Sequence, residues 1–364
     1  MKVFHITSVH TRYDTRIFKK ECISLAQTGY DVTLIVCDGQ GDEVCEGVKI
    51  IDAGNYNRAP RLKRARLGPK AIYSKLKKFA QVDVVHLHDP ELIFLGKKLA
   101  KKGIKVIYDS HENLPKQIMS KPYIPSWARK IISYSINKIE LSAARKFSSV
   151  VTVTDEIQKR FLSVNNNSLL VRNYPVLKSF PEPDFSKKDM SFMYAGGVTS
   201  IRGAKEMAQA SNKAGIEVQV YGPVDSDVVD YTKNCPFFKL NGSLKQEDLI
   251  KVYTTSSVGF ILFYKVPNHM VCSPNKLFEY MASGMAVIAS DIPMWKEIID
   301  EYKCGICLDP YDVNAIADAM IYMKNHPDEV EKMGRNGRKA VLEHFSWECE
   351  SKTLLKLYKD MEIQ

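Results

Sequence analysis

Apolar residues fall in short blocks along the chain, and the blocks alternate with longer stretches in which apolar positions recur at helical spacing. Residues 3–6, 32–36, 83–87, 105–108 and 150–153 are predicted strands, with a helix at 17–28 that Gly29 closes. A second series, at 190–195, 218–221, 258–263 and 286–289, repeats the pattern. Such alternation predicts parallel sheets covered by helices, with ligands at the carboxyl ends of the strands. Between the two series, residues 178–188 contain Pro181 and Pro183 and have the composition of a linker. The expected organisation is a first domain at 1–177, a linker at 178–188, a second domain at 189–346 and a terminal helix at 347–364, where Leu354, Leu355, Leu357 and Tyr358 keep helical spacing. A chain of 364 residues suits two cores, because single cores stop growing near ~250–300 residues.

Charge divides the chain more sharply than hydropathy does. Residues 1–175 hold 30 Lys/Arg against 16 Asp/Glu, a net +14, so the remaining 22 against 26 give −4 and the total is +10. The densest basic segment, 58–78, contains Arg58, Arg61, Lys63, Arg64, Arg66, Lys70, Lys75, Lys77 and Lys78, interleaved with apolar residues. That pattern fits an anionic membrane surface or a merely solvated face. Nucleic acid is not an expected partner, since no nucleic-acid-binding motif accompanies the charge. No run approaches the ~18 apolar residues of a membrane span, and the first ten residues lack the apolar stretch of a signal peptide. A cytoplasmic protein, peripheral at the inner face of the membrane, is expected. The eight scattered cysteines, of which only Cys304 and Cys307 have CxxC spacing, are read as packing residues.

The segment SPNKLFEYMASG at 273–284 carries the most chemistry. It predicts a short helix with Ser273 as N-cap, Pro274 in the first helical position and Gly284 as the stop. Free first-turn amides and the positive dipole end beside Lys276 suit a phosphate. Glu279, about one turn on, can accept hydrogen bonds from sugar hydroxyls. On spacing alone an ordinary capped core helix has the same signature. Gly196 and Gly197 follow a predicted strand and precede a helix that begins near Arg202, where missing side chains let backbone approach a phosphate. Neither GxGxxG nor GxxxxGK[ST] is present.

These residues resemble the family 4 retaining glycosyltransferases of the GT-B fold, whose second domain carries P-x-K-L-F-E-Y-M-A-x-G-x-P-V-I-A-S-D or close variants. The likeness extends to DTRIFKKE at 14–21, LAQTGYDV at 25–32, HLHDPEL at 86–92, DSHE at 109–112 and GGVTSIRG at 196–203. It implies an α/β architecture of two Rossmann-like, doubly wound parallel-sheet domains facing a cleft, with the terminal helix crossing back to the first domain. It implies transfer of a sugar, with retention, from a nucleoside diphosphate sugar to a saccharide or lipid-linked saccharide acceptor in surface-polysaccharide synthesis. UDP is expected ahead of GDP, and no cofactor.

By the same resemblance Arg202 and Lys276 hold the diphosphate, Glu279 the ribose, and Gly196, Gly197, Gly222, Ser273, Asn275 and Leu277 line the donor. His111 faces the donor sugar, so His111, Arg202 and Lys276 form the catalytic set, while Asp14, Arg16 and His88 stand on the acceptor side. The family's E-x7-E signature would place a first glutamate at position 271, which is Val271 here; Glu297 and the backbone of 273–276 are then the nearest groups for the sugar. His86, His88 and His111 with Asp89, Glu91, Asp109 and Glu112 are also metal-ligand types. The resemblance points instead to metal-independent transfer, with the two cations in place of the ion. A sugar-nucleotide epimerase of the same architecture, or a non-catalytic nucleotide- or carbohydrate-binding module, remain the alternatives.

Overall fold

The structure, a computed structural model, describes residues 1–119, 121 and 124–363. It divides into two units, Met1–Asn173 with Glu350–Gln364, and Tyr174–Cys349.

The first unit is built on eight strands: β1 (Lys2–Ile6), β2 (Asp31–Val36), β3 (Glu43–Cys45), β4 (Val48–Asp52), β5 (Val84–Leu87), β6 (Lys105–Ser110), β7 (Ser149–Thr152) and β8 (Ser168–Leu170). Their order is β3-β4-β2-β1-β5-β6-β7-β8, and every pairing except the β3–β4 hairpin is parallel. All four residues of β5 are buried, as expected of a strand covered on both faces. Phe4, Ile6, Val85, Leu87 and Tyr108 pack with Ile72, Leu95, Leu99 and Phe161 from the helices. The order reverses between β1 and β5, so the loops leaving those two strands form the crevice.

The helix expected at 17–28 opens with a widened turn, Ile17–Cys22, before becoming an α-helix at Ile23–Gln27. Lys19 N donates to Asp14 O at 3.1 Å and Glu21 N to Arg16 O at 3.0 Å, each spanning five residues. This turn buries Ile17, Phe18, Lys20, Glu21 and Cys22 together.

In the second unit, β9 (Phe192–Ala195), β10 (Val218–Tyr221), β11 (Phe238–Leu240), β12 (Val258–Ile261), β13 (Ala286–Ser290) and β14 (Gly305–Leu308) form one parallel sheet. Its order, β11-β10-β9-β12-β13-β14, reverses between β9 and β12. Residues 178–188 are packed into this unit: Phe180 is buried, and Arg338 donates to Ala282 O at 2.5 Å and to Glu182 at 3.1 Å. Helix Trp347–Ile363 begins here, with Trp347 N on Pro175 O at 2.8 Å, and from Glu350 onward it is part of the first unit. Gln364 lies outside the described residues. Cys304 is buried and, like Cys307, free. Among the described residues no helix is long and apolar enough to cross a membrane.

Candidate active site

Strand β9 delivers the chain to Gly196, whose φ of +142° favours glycine. A Cβ on Gly197 would lie 3.0 Å from Arg202 Nη1, and one on Gly196 3.6 Å from it. The guanidinium of Arg202 therefore rests on the glycine turn, where a side chain at 197 would crowd it. Phe263 backs it at 5.3 Å, and the Tyr194 hydroxyl pins the turn by donating to Gly197 O at 2.8 Å. Among the described residues no carboxylate lies in ion-pair range of Arg202. Burial lowers the His269 pKa and Arg202 adds to the effect, which places this charge beside the 269–272 loop. Gly222, with φ +143°, abuts the same turn: a Cβ there would fall 1.8 Å from Gly196 O.

The 269–272 loop leads into helix Asn275–Ala282, which starts one residue later than the sequence suggests. Pro274, at ψ 122°, is extended and occupies the cap position, so Ser273 is not the cap and the helix has no side-chain cap bond. Tyr280 ties the helix to the end of β9, its hydroxyl accepting from Ala195 N at 3.0 Å. A Cβ on Gly259 would sit 2.4 Å from the Tyr280 ring, so glycine is what lets the helix dock this closely. Lys276 Nζ meets Glu279 Oε2 at 2.9 Å, and the Tyr253 hydroxyl donates to the same oxygen at 3.3 Å. Lysine and glutamate thus form one unit.

Other expected donor residues part company. Asn275 is exposed at the helix start. Leu277 is a core residue whose amide is spent on Pro274 O at 3.1 Å, leaving the amides of Asn275 and Lys276 for an anion. Glu297 is exposed on helix Pro293–Tyr302. Two residues from the inward Trp295, whose indole donates to Cys272 O at 2.8 Å, it points round the other side, and no contact among the described residues joins it to Lys276 or Arg202.

In the first unit, the expected acceptor-side residues are largely consumed by one another. Arg16 is buried and grips Asp109 with two bonds, Nε at 2.8 Å and Nη2 at 3.0 Å, while Nη1 donates to Val171 O at 3.0 Å. It is not presented to an acceptor. Asp14 caps the widened turn, its Oδ1 accepting from the amides of Arg16 and Ile17 at 2.9 Å each. His88 is buried between His5 Nδ1, at 2.9 Å, and Asp109, at 3.4 Å.

His111 Nε2 lies 2.8 Å from Asp109 Oδ2 and keeps 20% of its side-chain surface. His10, which the sequence reading missed, keeps 30% and bonds Asp14 Oδ2 at 3.0 Å; its signal was the i, i+4 spacing to an aspartate in the loop after β1. The His10 and His111 rings are 5.4 Å apart. Asp89 braces this loop, taking Thr7 Oγ1 at 2.9 Å and Ser8 N at 2.6 Å, whereas Glu91 is bound to Arg64 at 2.9 Å and Glu112 to Gln117. Arg64 is thereby removed from the basic surface of helix Arg61–Leu76.

Electrostatics follow burial. Desolvation works against the Asp109 carboxylate, but Arg16 and His111 win and hold its pKa well below the usual range. Desolvation, then Asp109, push Glu21 well above it. Burial, followed by His88, lowers His5 and His86, so both are neutral.

Two doubly wound units, each with polar groups at its strand-order reversal, are the architecture of the GT-B fold. Residues 15–168 match the family model described as Glycosyltransferase Family 4, and residues 237–340 match that of Glycosyl transferases group 1. The chain belongs to this family 4, group 1 type and is a glycosyltransferase. Over 293 residues it is 22% identical to MMP alpha-(1->4)-mannosyltransferase of Mycolicibacterium hassiacum, covering 76% of this chain and 70% of that one. In structure it is similar to sucrose-phosphate synthase of Thermosynechococcus elongatus, with TM-score 0.77, 18% identity and 100% and 99% coverage. Anabaena HepE in complex with UDP-glucose gives TM-score 0.72 at 11% identity, covering 99% of this chain and all of that one.

Proposed function

We propose that this glycosyltransferase takes its sugar from a nucleoside diphosphate sugar and passes it, with retention, to a hydroxyl of a lipid-linked saccharide in surface-polysaccharide assembly. The observation that carries the donor half is the Arg202 guanidinium, laid on Gly196 and Gly197 without a carboxylate partner among the described residues. A diphosphate would supply the missing anion. Lys276, at a helix start with no side-chain cap, adds the second cation, and together they offset charge developing on the leaving group. Glu279 holds Lys276 and takes the ribose hydroxyls. His111, which keeps 20% of its side-chain surface, faces the sugar. UDP is favoured over GDP because the HepE structures of the same fold are described with UDP and UDP-glucose. With two side-chain cations at the phosphates, transfer needs no Mg²⁺ or Mn²⁺ there.

Nucleotide titration of Arg202→Ala, Lys276→Ala and the pair tests this. Each charge-assisted contact is worth ~1.5–3 kcal/mol, so the double variant should lose UDP binding with its fold intact; unchanged affinity would refute the assignment. Membrane docking would rest on the exposed Arg61, Lys63 and Arg66, since polybasic segments gain about 1 kcal/mol per charge at anionic surfaces. Changing these three to Gln should release the protein from phosphatidylglycerol vesicles, and equal sedimentation would reduce them to solvated charges.

A further inference from the structure

We infer that His5, Glu21, His86 and His88 form a buried binding site for one divalent transition metal ion, with zinc the best match. The four side chains come from three elements, β1, β5 and the widened turn Ile17–Cys22, and each is fully buried. Glu21 Oε2 lies 3.7 Å from His86 Nδ1, 3.8 Å from His5 Nδ1 and 3.9 Å from His88 Nε2, and the two latter nitrogens are 2.9 Å apart. A tetrahedral zinc ion with ligands at ~2.0–2.2 Å separates them by about 3.3–3.6 Å; the three distances to Glu21 are close to that, the His5–His88 pair would have to open, and all four side chains offer ligand atoms within 4.8 Å of one another.

A second observation points to a ligand. Neither Glu21 oxygen has a hydrogen-bond partner among the described residues, and Oε2, unlike Oε1, faces no cation, a state that folded proteins seldom leave unexplained. Arg16 faces Oε1 at 3.2 Å, which leaves Oε2 turned to the histidines. The surroundings are those of an oriented ligand set. His88 presents Nδ1 to Asp109 Oδ2 at 3.4 Å and so turns Nε2 inward, and Asp109 is itself fixed by Arg16. Such a carboxylate behind a histidine sets the ring and its tautomer. Tyr358, from the terminal helix, covers the cluster with its hydroxyl 2.8 Å from His86 Nδ1 and 3.3 Å from His5 Nε2; the ion would displace the first of these bonds, and His86 Nε2 is itself buried without a partner among the described residues.

With three imidazoles, one carboxylate and no exposed face, the site is structural: the ion would clamp β1 to β5 where the strand order reverses, and with them His88 and His111. All four ligands belong to the first unit, whereas Arg202 and Lys276 belong to the second, so the metal can be tested without the donor. The purified full chain, grown with zinc, should retain about one zinc per chain after dialysis against a weak chelator. X-ray absorption of that wild-type sample should count three imidazoles, without need of any variant. Cobalt-loaded wild type should show the visible bands of four-coordinate Co²⁺, and Glu21→Gln and His86→Gln should lose them together with the metal-dependent rise in melting temperature. Protein that binds neither ion, an absorption spectrum with fewer than three imidazoles, or an unchanged cobalt spectrum in Glu21→Gln would overturn the site.

Discussion

The glycine turn of the second unit and the histidine cluster of the first occupy the same topological position, yet they handle charge in opposite ways. At β9 and β12 the cations are few and stay accessible: Lys276 keeps 26% of its side-chain surface, and Arg202 rests on an aromatic ring and bare backbone. At β1 and β5 the charges are spoken for within the unit: Arg16 and Asp109 are buried on one another, and the half-buried Asp14 is bonded to two amides and His10. One crevice is organised by shape, around a guanidinium laid on bare backbone; the other is organised by charge around itself. Substitutions in the first unit should therefore be felt as stability, and those in the second as affinity.

The largest effect should come from Asp109→Ala. It strands the buried Arg16, and removing one partner of a buried pair costs ~3–5 kcal/mol. Glu21 lies 3.2 Å from Arg16 and would ionise to take up part of the charge, so about 3 kcal/mol is expected in urea unfolding. A loss under ~1 kcal/mol would mean that the cluster is not held by this pair.

Gly222→Ala asks whether shape governs the other crevice. The new Cβ would lie 1.8 Å from Gly196 O at a φ of +143°, and backbone held in such a region costs ~1–3 kcal/mol. The two loops must part, so UDP affinity should fall more than stability does. Gly215→Ala is the milder control: its φ of +63° is also positive, in the αL well, but nothing lies within 4 Å of its Cβ. Equal losses of affinity in the two variants would remove the glycine contact from the donor site.

The strands were legible because parallel strands buried on both faces read as unbroken apolar runs, and Lys276 with Glu279 because three-residue spacing on a helix is local. The β3–β4 hairpin escaped notice, as did β8 and β11, each only three residues long and too short to carry a period. Glu21 and Tyr358 were silent for another reason. Their partners are fixed by register, as where His5 pairs with His86 across β1 and β5, and no local pattern records that. The burial of Arg16 was equally invisible, so a residue expected to meet the acceptor proved to be an internal counter-charge. The start of the Lys276 helix was displaced by one residue because Pro274 took the cap itself.

The smallest expected effect separates the accessible rim of the first unit from its buried centre. Burial lowers the His10 pKa, but the bond to Asp14 and the fields of Asp89 and Asp109 outweigh it, and the net shift is upward. Burial likewise works to raise Asp14, and His10 with the amides of Ile17 and Arg16 overrules it. A raised histidine contributes stability in full below its unfolded value of about 6.5 and loses it as pH climbs through the higher folded value; a depressed carboxylate contributes above about 3.9 and loses it as pH falls through the lower folded one. The pair is therefore most stabilising between about pH 4 and 6.5. His5, His86 and His88 are shifted downward, so their pH dependence lies below about 6.5, on the other side of neutrality. With 30% and 24% of their side chains exposed, His10 and Asp14 should yield no more than ~1 kcal/mol. The gap in stability between wild type and His10→Gln, measured by denaturation at pH 6 and again at pH 8, should close as the pH rises. A gap that stays constant would show that His10 acts there through packing alone.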